Sequence, residues 1–196
     1  MIAPLLNRRS GPSPDRKSGP AERDWRQASA QELVEHIRHE HHDRIRERLP
    51  ELVRLAQRVE LVHAARPDCP RGLCAELAGL HAALHTHLKR EERVLFPQLQ
   101  MGLSPELAPL IAQMRSEHET QRDALGRIGH LTRDLALPED ACSSWEALVL
   151  DLRTLRDALE QSIRLEDEVL YQGLTAARTG GCSASGGGCA CAGTAG

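Results

Sequence analysis

Aromatic side chains are nearly missing from this sequence: Trp25, Phe96, Trp145 and Tyr171 make up 2% of 196 residues. β-Sandwiches and barrels lean on aromatic and β-branched residues, so the composition turns away from an all-β fold. The same want of rings excludes a platform that stacks single-stranded nucleic acid. Charge of one sign is also lacking, since a net charge of −3 leaves no broad basic face for duplex DNA. No apolar run approaches the ~20 residues of a membrane span. The apolar stretch before Arg8 and Arg9 is too short for a secretory signal. The expectation is a cytoplasmic protein with neither a nucleic-acid nor a membrane partner.

What is present reads as helix. Leu, Ala, Glu and Arg dominate, within 40% apolar and 27% charged residues, the balance of a soluble helical bundle. Residues 1–27 carry Pro4, Pro12, Pro14 and Pro20, with six basic residues against three acids, and are expected to lie loose. Residues 179–196 are Gly, Ala, Ser and Cys and are expected to form a flexible tail. One domain of residues 28–178 remains, long enough to bury a core. Six cysteines in a cytosolic chain do not imply a disulfide framework. Cys69 and Cys74 form a C-x4-C without a second pair, which is weak evidence for zinc. Cys182, Cys189 and Cys191 fall in the tail.

Four long helical patterns fill the domain. The first opens on a capping box of Ser29 and Glu32 and runs to Val62, with Pro50 expected to kink or divide it. A second runs from near Gly72 to about Gln100. The third begins at Ser104–Pro105 or at Pro109 and continues to about Leu135. The fourth opens at Ser143, with Glu146 completing a second capping box, and ends near Ala177. Short connections make neighbours antiparallel, so the expected fold is an all-α, up-down-up-down four-helix bundle.

An internal repeat runs through it. His87-Leu-Lys-Arg-Glu91-Glu-Arg-Val-Leu-Phe96 aligns with Ser162-Ile-Arg-Leu-Glu166-Asp-Glu-Val-Leu-Tyr171 at an offset of 75 residues. The first and third patterns echo at an offset of 76, with His42 and Arg46 opposite His118 and Arg122. A bundle of two similar helix pairs has a pseudo-twofold axis, and residues repeated on it converge. On a wheel of about 100° per residue, His87 and Glu91 fall inside the stripe of Leu77, Leu80, Leu84, Leu88, Val94 and Leu95. Glu166 falls near the centre of the stripe of Leu148, Leu152, Leu155, Leu159, Val169 and Leu170. His118 lies between Ile111, Met114 and Leu125.

One histidine on an apolar face is more often a satisfied core residue than a ligand. Two buried carboxylates with imidazoles from separate helices need a common partner, because a carboxylate buried alone costs several kcal/mol. A metal ion takes carboxylate and neutral imidazole together. The first helix is ambiguous: wheel angle centres His41, while the echo of the third helix selects His42. His36, His39, His81, His85 and His130 read as surface or edge residues, and Glu92 reads as solvated.

These residues resemble a family, the hemerythrin-like HHE cation-binding fold and, more narrowly, the iron–sulfur cluster repair di-iron proteins. The resemblance is carried by Glu32-Leu-Val-Glu-His36-Ile, His42-Asp-Arg, Leu49-Pro-Glu-Leu52 and Val59-Glu-Leu-Val-His63-Ala. It continues through Leu80-His81, His87-Leu-Lys-Arg-Glu91-Glu, Leu95-Phe-Pro97, Glu117-His118-Glu119, Ala141-Cys142-Ser-Ser-Trp145 and Leu165-Glu166. That family's di-iron site uses four histidines and two bridging glutamates. The resemblance implies that His42, His87 and His118 are ligands, that Glu91 and Glu166 are the bridges, and that His63 is a further histidine near the site. It favours His42 over His41. Two departures stand out. The fourth histidine is Ser162, so two non-haem irons are expected but one is conceivable, and residues 1–27 lack the cysteine pair of many members' N-terminal domain. The implied function is repair of iron–sulfur clusters damaged by nitrosative or oxidative stress. Nitric oxide or oxygen would be the small ligand and damaged iron–sulfur proteins the partners. The alternative is a module that binds these gases or stores iron without turnover. A metal-free helical scaffold would leave buried carboxylates orphaned.

Overall fold

The computed structural model describes residues 23–102 and 104–172, and among them every regular element is helical. The helices are α1 (Ala30–His36), α2 (Asp43–Val62), α3 (Leu73–Arg90), α4 (Phe96–Met101), α5 (Ala108–Leu131) and α6 (Ser143–Leu165). Three π-helical segments, Ile37–His42, Glu91–Leu95 and Glu166–Leu170, join or extend them. Four rods result: 30–62, 73–101, 108–131 and 143–170. The rod of α1 and α2 packs against α3 and α6, and α3 packs against α5. This is the expected antiparallel four-helix bundle.

The first capping box forms as expected. Ser29 Oγ accepts from the Glu32 amide at 3.2 Å, and Glu32 Oε2 accepts from the Ser29 amide at 3.0 Å. Several other local expectations give way. Pro50 does not divide the first helix, and α2 runs through it. The ring lies on the exposed face, where the carbonyl freed one turn earlier can turn to water. Ser143 is not a cap: Cys142 holds that position without a side-chain hydrogen bond, and the second box does not form. Ser104 caps a short 3-10 turn, Pro105–Leu107, which leads into α5. That helix stops at Leu131 rather than Leu135, because Arg133, Asp134 and Leu135 are left-handed (φ 52°, 58° and 59°). Thr132 secures this turn by donating to the Ile128 carbonyl at 2.8 Å and accepting from the Leu135 amide at 3.1 Å, which lets Leu135 enter the core. Gly72, at φ 93°, supplies the left-handed residue ahead of α3.

The segment expected to lie loose is anchored from residue 23 onward. Asp24 caps the 3-10 turn Trp25–Gln27, Arg23 pairs with Glu32 at 2.6 Å, and Trp25 stacks on His36 at 4.0 Å. The expectations for residues 1–22, for the tail at 179–196 with its three cysteines, and for an end near Ala177 lie outside the described residues.

The core falls into two apolar clusters. One gathers Ile45, Leu49, Leu52, Leu84, Leu88, Leu159 and Ile163 with residues further along the bundle. The other gathers Leu33, Ile37, Leu95, Phe96, Met114, Leu165, Leu170 and Tyr171. Between them in every rod sit the buried polar residues His41, His42, His87, Glu91, His118, Ser162 and Glu166. Two apolar layers therefore enclose one polar layer.

Candidate metal centre

Each π segment serves this layer. A π turn takes an extra residue, so buried positions step from Glu91 to Leu95 and Phe96, and from Glu166 to Leu170 and Tyr171. The amide of Tyr171 bonds the carbonyl of Glu166 at 2.8 Å, the five-residue step of such a turn. Val94, placed by the α-helical wheel in the apolar stripe, is instead 42% exposed. The repeat explains the symmetry: both glutamates open a π segment, and both are followed five residues later by a buried ring.

Glu91 and Glu166 face the same two imidazoles. His42 Nε2 lies 3.5 Å from Glu91 Oε2 and 3.3 Å from Glu166 Oε1. His118 Nε2 lies 3.8 Å from Glu91 Oε1 and 3.0 Å from Glu166 Oε2. His87 Nε2 is 3.5 Å from Glu91 Oε2 and 3.2 Å from His118 Nε2. One donor atom each from His87, Glu91, His118 and Glu166 fits within 4.8 Å of the others. Two hydroxyls complete the layer. Tyr171 donates to Glu91 Oε1 at 2.6 Å, and Ser162 donates to Glu166 Oε1 at 2.9 Å.

The outer nitrogen of each imidazole is tied to a carboxylate. His42 Nδ1 meets Glu92 at 2.8 Å, His87 Nδ1 meets Glu117 at 2.8 Å, and His118 Nδ1 meets Asp167 at 3.0 Å. Each carboxylate is held by an arginine: Arg46 on Glu92, Arg90 on Glu117, and Arg122 on Asp167 at 3.0 Å. Glu92 is therefore not the solvated residue expected from the wheel. The π segment turns it back toward His42, and it is half-buried. This buttressing holds a proton on Nδ1 and aims Nε2 inward, as in histidine metal sites.

The electrostatics follow. Burial opposes charge on His42, but its hydrogen bonds to Glu166 and Glu92 win and hold it at about 9. His118 is raised to about 11, as Asp167, Glu166 and Glu91 overcome its burial. Glu166 stays well below the usual carboxylate range: burial would raise it, but His118 and His42 outweigh that. Glu92 is held at about 2 against its burial by His42 and Arg46. Burial pushes the Tyr171 hydroxyl well up, so it is a permanent donor.

A divalent cation suits this donor set. Glu91 Oε2 is buried without a hydrogen-bond partner, and two Nε2 atoms face each other across 3.2 Å. Inward imidazole nitrogens that can give up a proton, two carboxylates and a dry surround are what hard-to-borderline ions such as iron require. His41 is also buried, with both ring nitrogens unpartnered. An unsatisfied buried group costs about 1–3 kcal/mol. Its own burial, with His36 beside it, lowers it to about 4.

The structure brings five of the six sequence-derived candidates together: His42, His87, Glu91, His118 and Glu166. It does not bring His63. That residue follows α2, about 30 Å along a 20-residue helix from His42. There it meets Cys142 Sγ at 3.1 Å and the Trp145 ring at 4.8 Å. Cys69 and Cys74 bond separate carbonyls, those of Glu60 and Val53. His85 and His130 are exposed and His81 is partly so. The residues sequence reasoning missed are the buttresses Glu92, Glu117 and Asp167, and Tyr171. The repeat held the signal for two of them, since Glu92 and Asp167 share the 75-residue offset.

Residues 33–174 match the hemerythrin HHE cation-binding domain. The chain is 41% identical over 152 residues to the iron-sulfur cluster repair protein YtfE of Cronobacter sakazakii, covering 78% of this chain and 69% of that protein. It is 40% identical to the proteins of the same name from Escherichia coli O1:K1 and Escherichia fergusonii, over the same shares. With the family's domain spanning the bundle and its buried histidine–glutamate layer, this chain belongs to the hemerythrin HHE cation-binding family.

Proposed function

We propose that this chain is a non-haem di-iron protein that helps restore iron–sulfur clusters damaged by nitrosative or oxidative stress. The observation that carries the reading is the polar layer itself: two buried carboxylates shared by imidazoles from separate helices, each imidazole buttressed from behind. The similarity to iron-sulfur cluster repair proteins supplies the process. Residues 28–178 are the functional unit in this reading. Glu91 and Glu166 would be shared by the two irons, with His87, His118 and His42 as the imidazoles that would hold them; His63 takes no part. Bound there, iron supplies redox change and open positions for a diatomic molecule, nitric oxide or oxygen, or is itself passed to a damaged cluster.

The protein's residues prepare the place. Glu92, Glu117 and Asp167 keep the three Nε2 atoms aimed inward. Tyr171 and Ser162 steady one oxygen of each bridging carboxylate. The apolar clusters on either side limit water, which strengthens every charge interaction in the layer. Loading displaces protons from His42 and His118, so iron uptake is coupled to proton release. No helix among the described residues is long and apolar enough to cross a membrane. We place the protein in the cytoplasm, with damaged iron–sulfur proteins as its partners.

The test uses the full chain, loaded with iron without oxygen, and a purified iron–sulfur enzyme inactivated by nitric oxide. Recovery of that enzyme's cluster absorption and activity is expected with the protein and not with Glu91→Leu. Iron binding without any recovery would sink the repair reading and leave a storage or gas-binding module.

A further inference from the structure

We infer that His41 supplies the metal-ligating imidazole that position 162 lacks, so that the second metal position is held by two adjacent histidines, His41 and His42. The inference rests on the di-iron reading above and concerns only how this chain completes it.

The argument starts from the repeat. Three imidazoles of the layer have a buttress, and two of these units are related by the repeat: His42 with Glu92 and Arg46, and His118 with Asp167 and Arg122. The third unit is His87 with Glu117. At the same offsets its counterparts are Ser162 for His87 and His41 for Glu117. Where one half of the bundle sets a carboxylate 2.8 Å behind an imidazole, the repeat pairs a histidine with a serine in the other half. Serine is shorter than histidine by a whole ring. With no ring at position 162, the imidazole missing from this half must come from another residue, and the repeat points to the buttress position.

Two observations of the structure agree. His41 is 4% exposed, yet neither ring nitrogen has a hydrogen-bond partner. A buried imidazole with both nitrogens idle is uncommon, because buried polar groups are nearly always satisfied. Moreover, the π segment that ends in His41 and His42 packs on α6, the helix that carries Ser162. The Glu166 carboxylate, to which Ser162 donates, acts electrostatically on His41. A buried neutral imidazole with a free lone pair, on the segment that packs against α6 and within electrostatic reach of Glu166, has the chemistry of an iron ligand.

The test is iron content and ligand count on the full chain loaded with ferrous iron without oxygen. Wild type is expected to hold two irons per chain, with X-ray absorption fine structure showing four imidazoles per pair. His41→Phe keeps the ring's bulk and is expected to drop to one iron. His41→Phe combined with Ser162→His, which puts the imidazole on α6 instead, is expected to recover two. Two irons and an unchanged imidazole count in His41→Phe would overturn the inference, and so would three imidazoles per pair in wild type, a result that needs no variant to fold. A wild-type chain that takes up no iron would instead overturn the di-iron reading beneath it.

Discussion

Tyr171→Phe isolates one hydrogen bond in the layer. The repeat shows that the ring can be spared its hydroxyl, because Phe96 holds the equivalent place in the other half and is equally buried. The substitution therefore removes an oxygen and leaves the packing. What it removes is a 2.6 Å donation to Glu91 Oε1, from a hydroxyl whose raised pKa keeps the proton in place. Glu91 Oε2 already lacks a hydrogen-bond partner, so the carboxylate would keep only its contacts with imidazoles at 3.5 Å and 3.8 Å. A hydrogen bond to a charged group contributes about 1.5–3 kcal/mol. For a domain of this size that corresponds to a fall in Tm of about 3–12 °C. The measurement is calorimetric melting of the metal-free protein and the iron-loaded protein side by side. The fall should be larger without metal, since iron gives the glutamate oxygens another partner. A metal-free Tm unchanged within about a degree would show that the hydroxyl does not stabilise Glu91. An equal fall in both forms would place its effect in packing instead.

Three further outcomes are expected. Asp167→Asn removes the charge behind His118, and loss of such a buttress weakens metal binding by about 10–100-fold. Chelator competition should show this, while Glu139→Gln, an exposed acid away from the layer, leaves affinity unchanged. His63→Ala should lower stability through lost contact with Trp145 and leave iron content at the wild-type value, read by elemental analysis. Metal-free protein should melt at lower temperature as pH rises. His42 and His118 are held at about 9 and about 11 when folded, so their contribution is full below the unfolded value near 6.5 and is lost as pH climbs through those values. Iron affinity should move oppositely, rising over the same window as the imidazoles give up protons; a titration at several pH values reads both slopes.

Much of this was legible in the sequence because the chemistry conflicts with the pattern around it. Apolar periodicity fixed four rods, and acids and imidazoles inside the apolar stripes marked the layer. The repeat then brought Glu91 and Glu166 to one place, where they face the same two imidazoles. Local signals were less dependable. Ser143 and Glu146 have the spacing of a capping box, but the chain enters α6 one residue earlier through Cys142. Pro50 signals a break, yet one lost hydrogen bond on a solvated face does not outweigh a helix packed along its length against α3 and α6.

The most consequential misreading has a single cause. A wheel at about 100° per residue carries its phase unchanged through Glu91 and Glu166, but the backbone does not, because each opens a π turn. Past that point the prediction rotates out of register. The wheel puts Val94 in the core, but it is exposed, and puts Glu92 in solvent, but it holds His42. The correct phase was present in the buried ring that follows each glutamate by five residues, Phe96 and Tyr171, a spacing that an α-helix does not favour and a π turn does. The first π segment, Ile37–His42, ends in two consecutive buried histidines, and both wheel angle and the repeat therefore pick out a residue that faces the core. The ambiguity between His41 and His42 was thus a property of the molecule. The sequence points to two histidines there because the fold buries both.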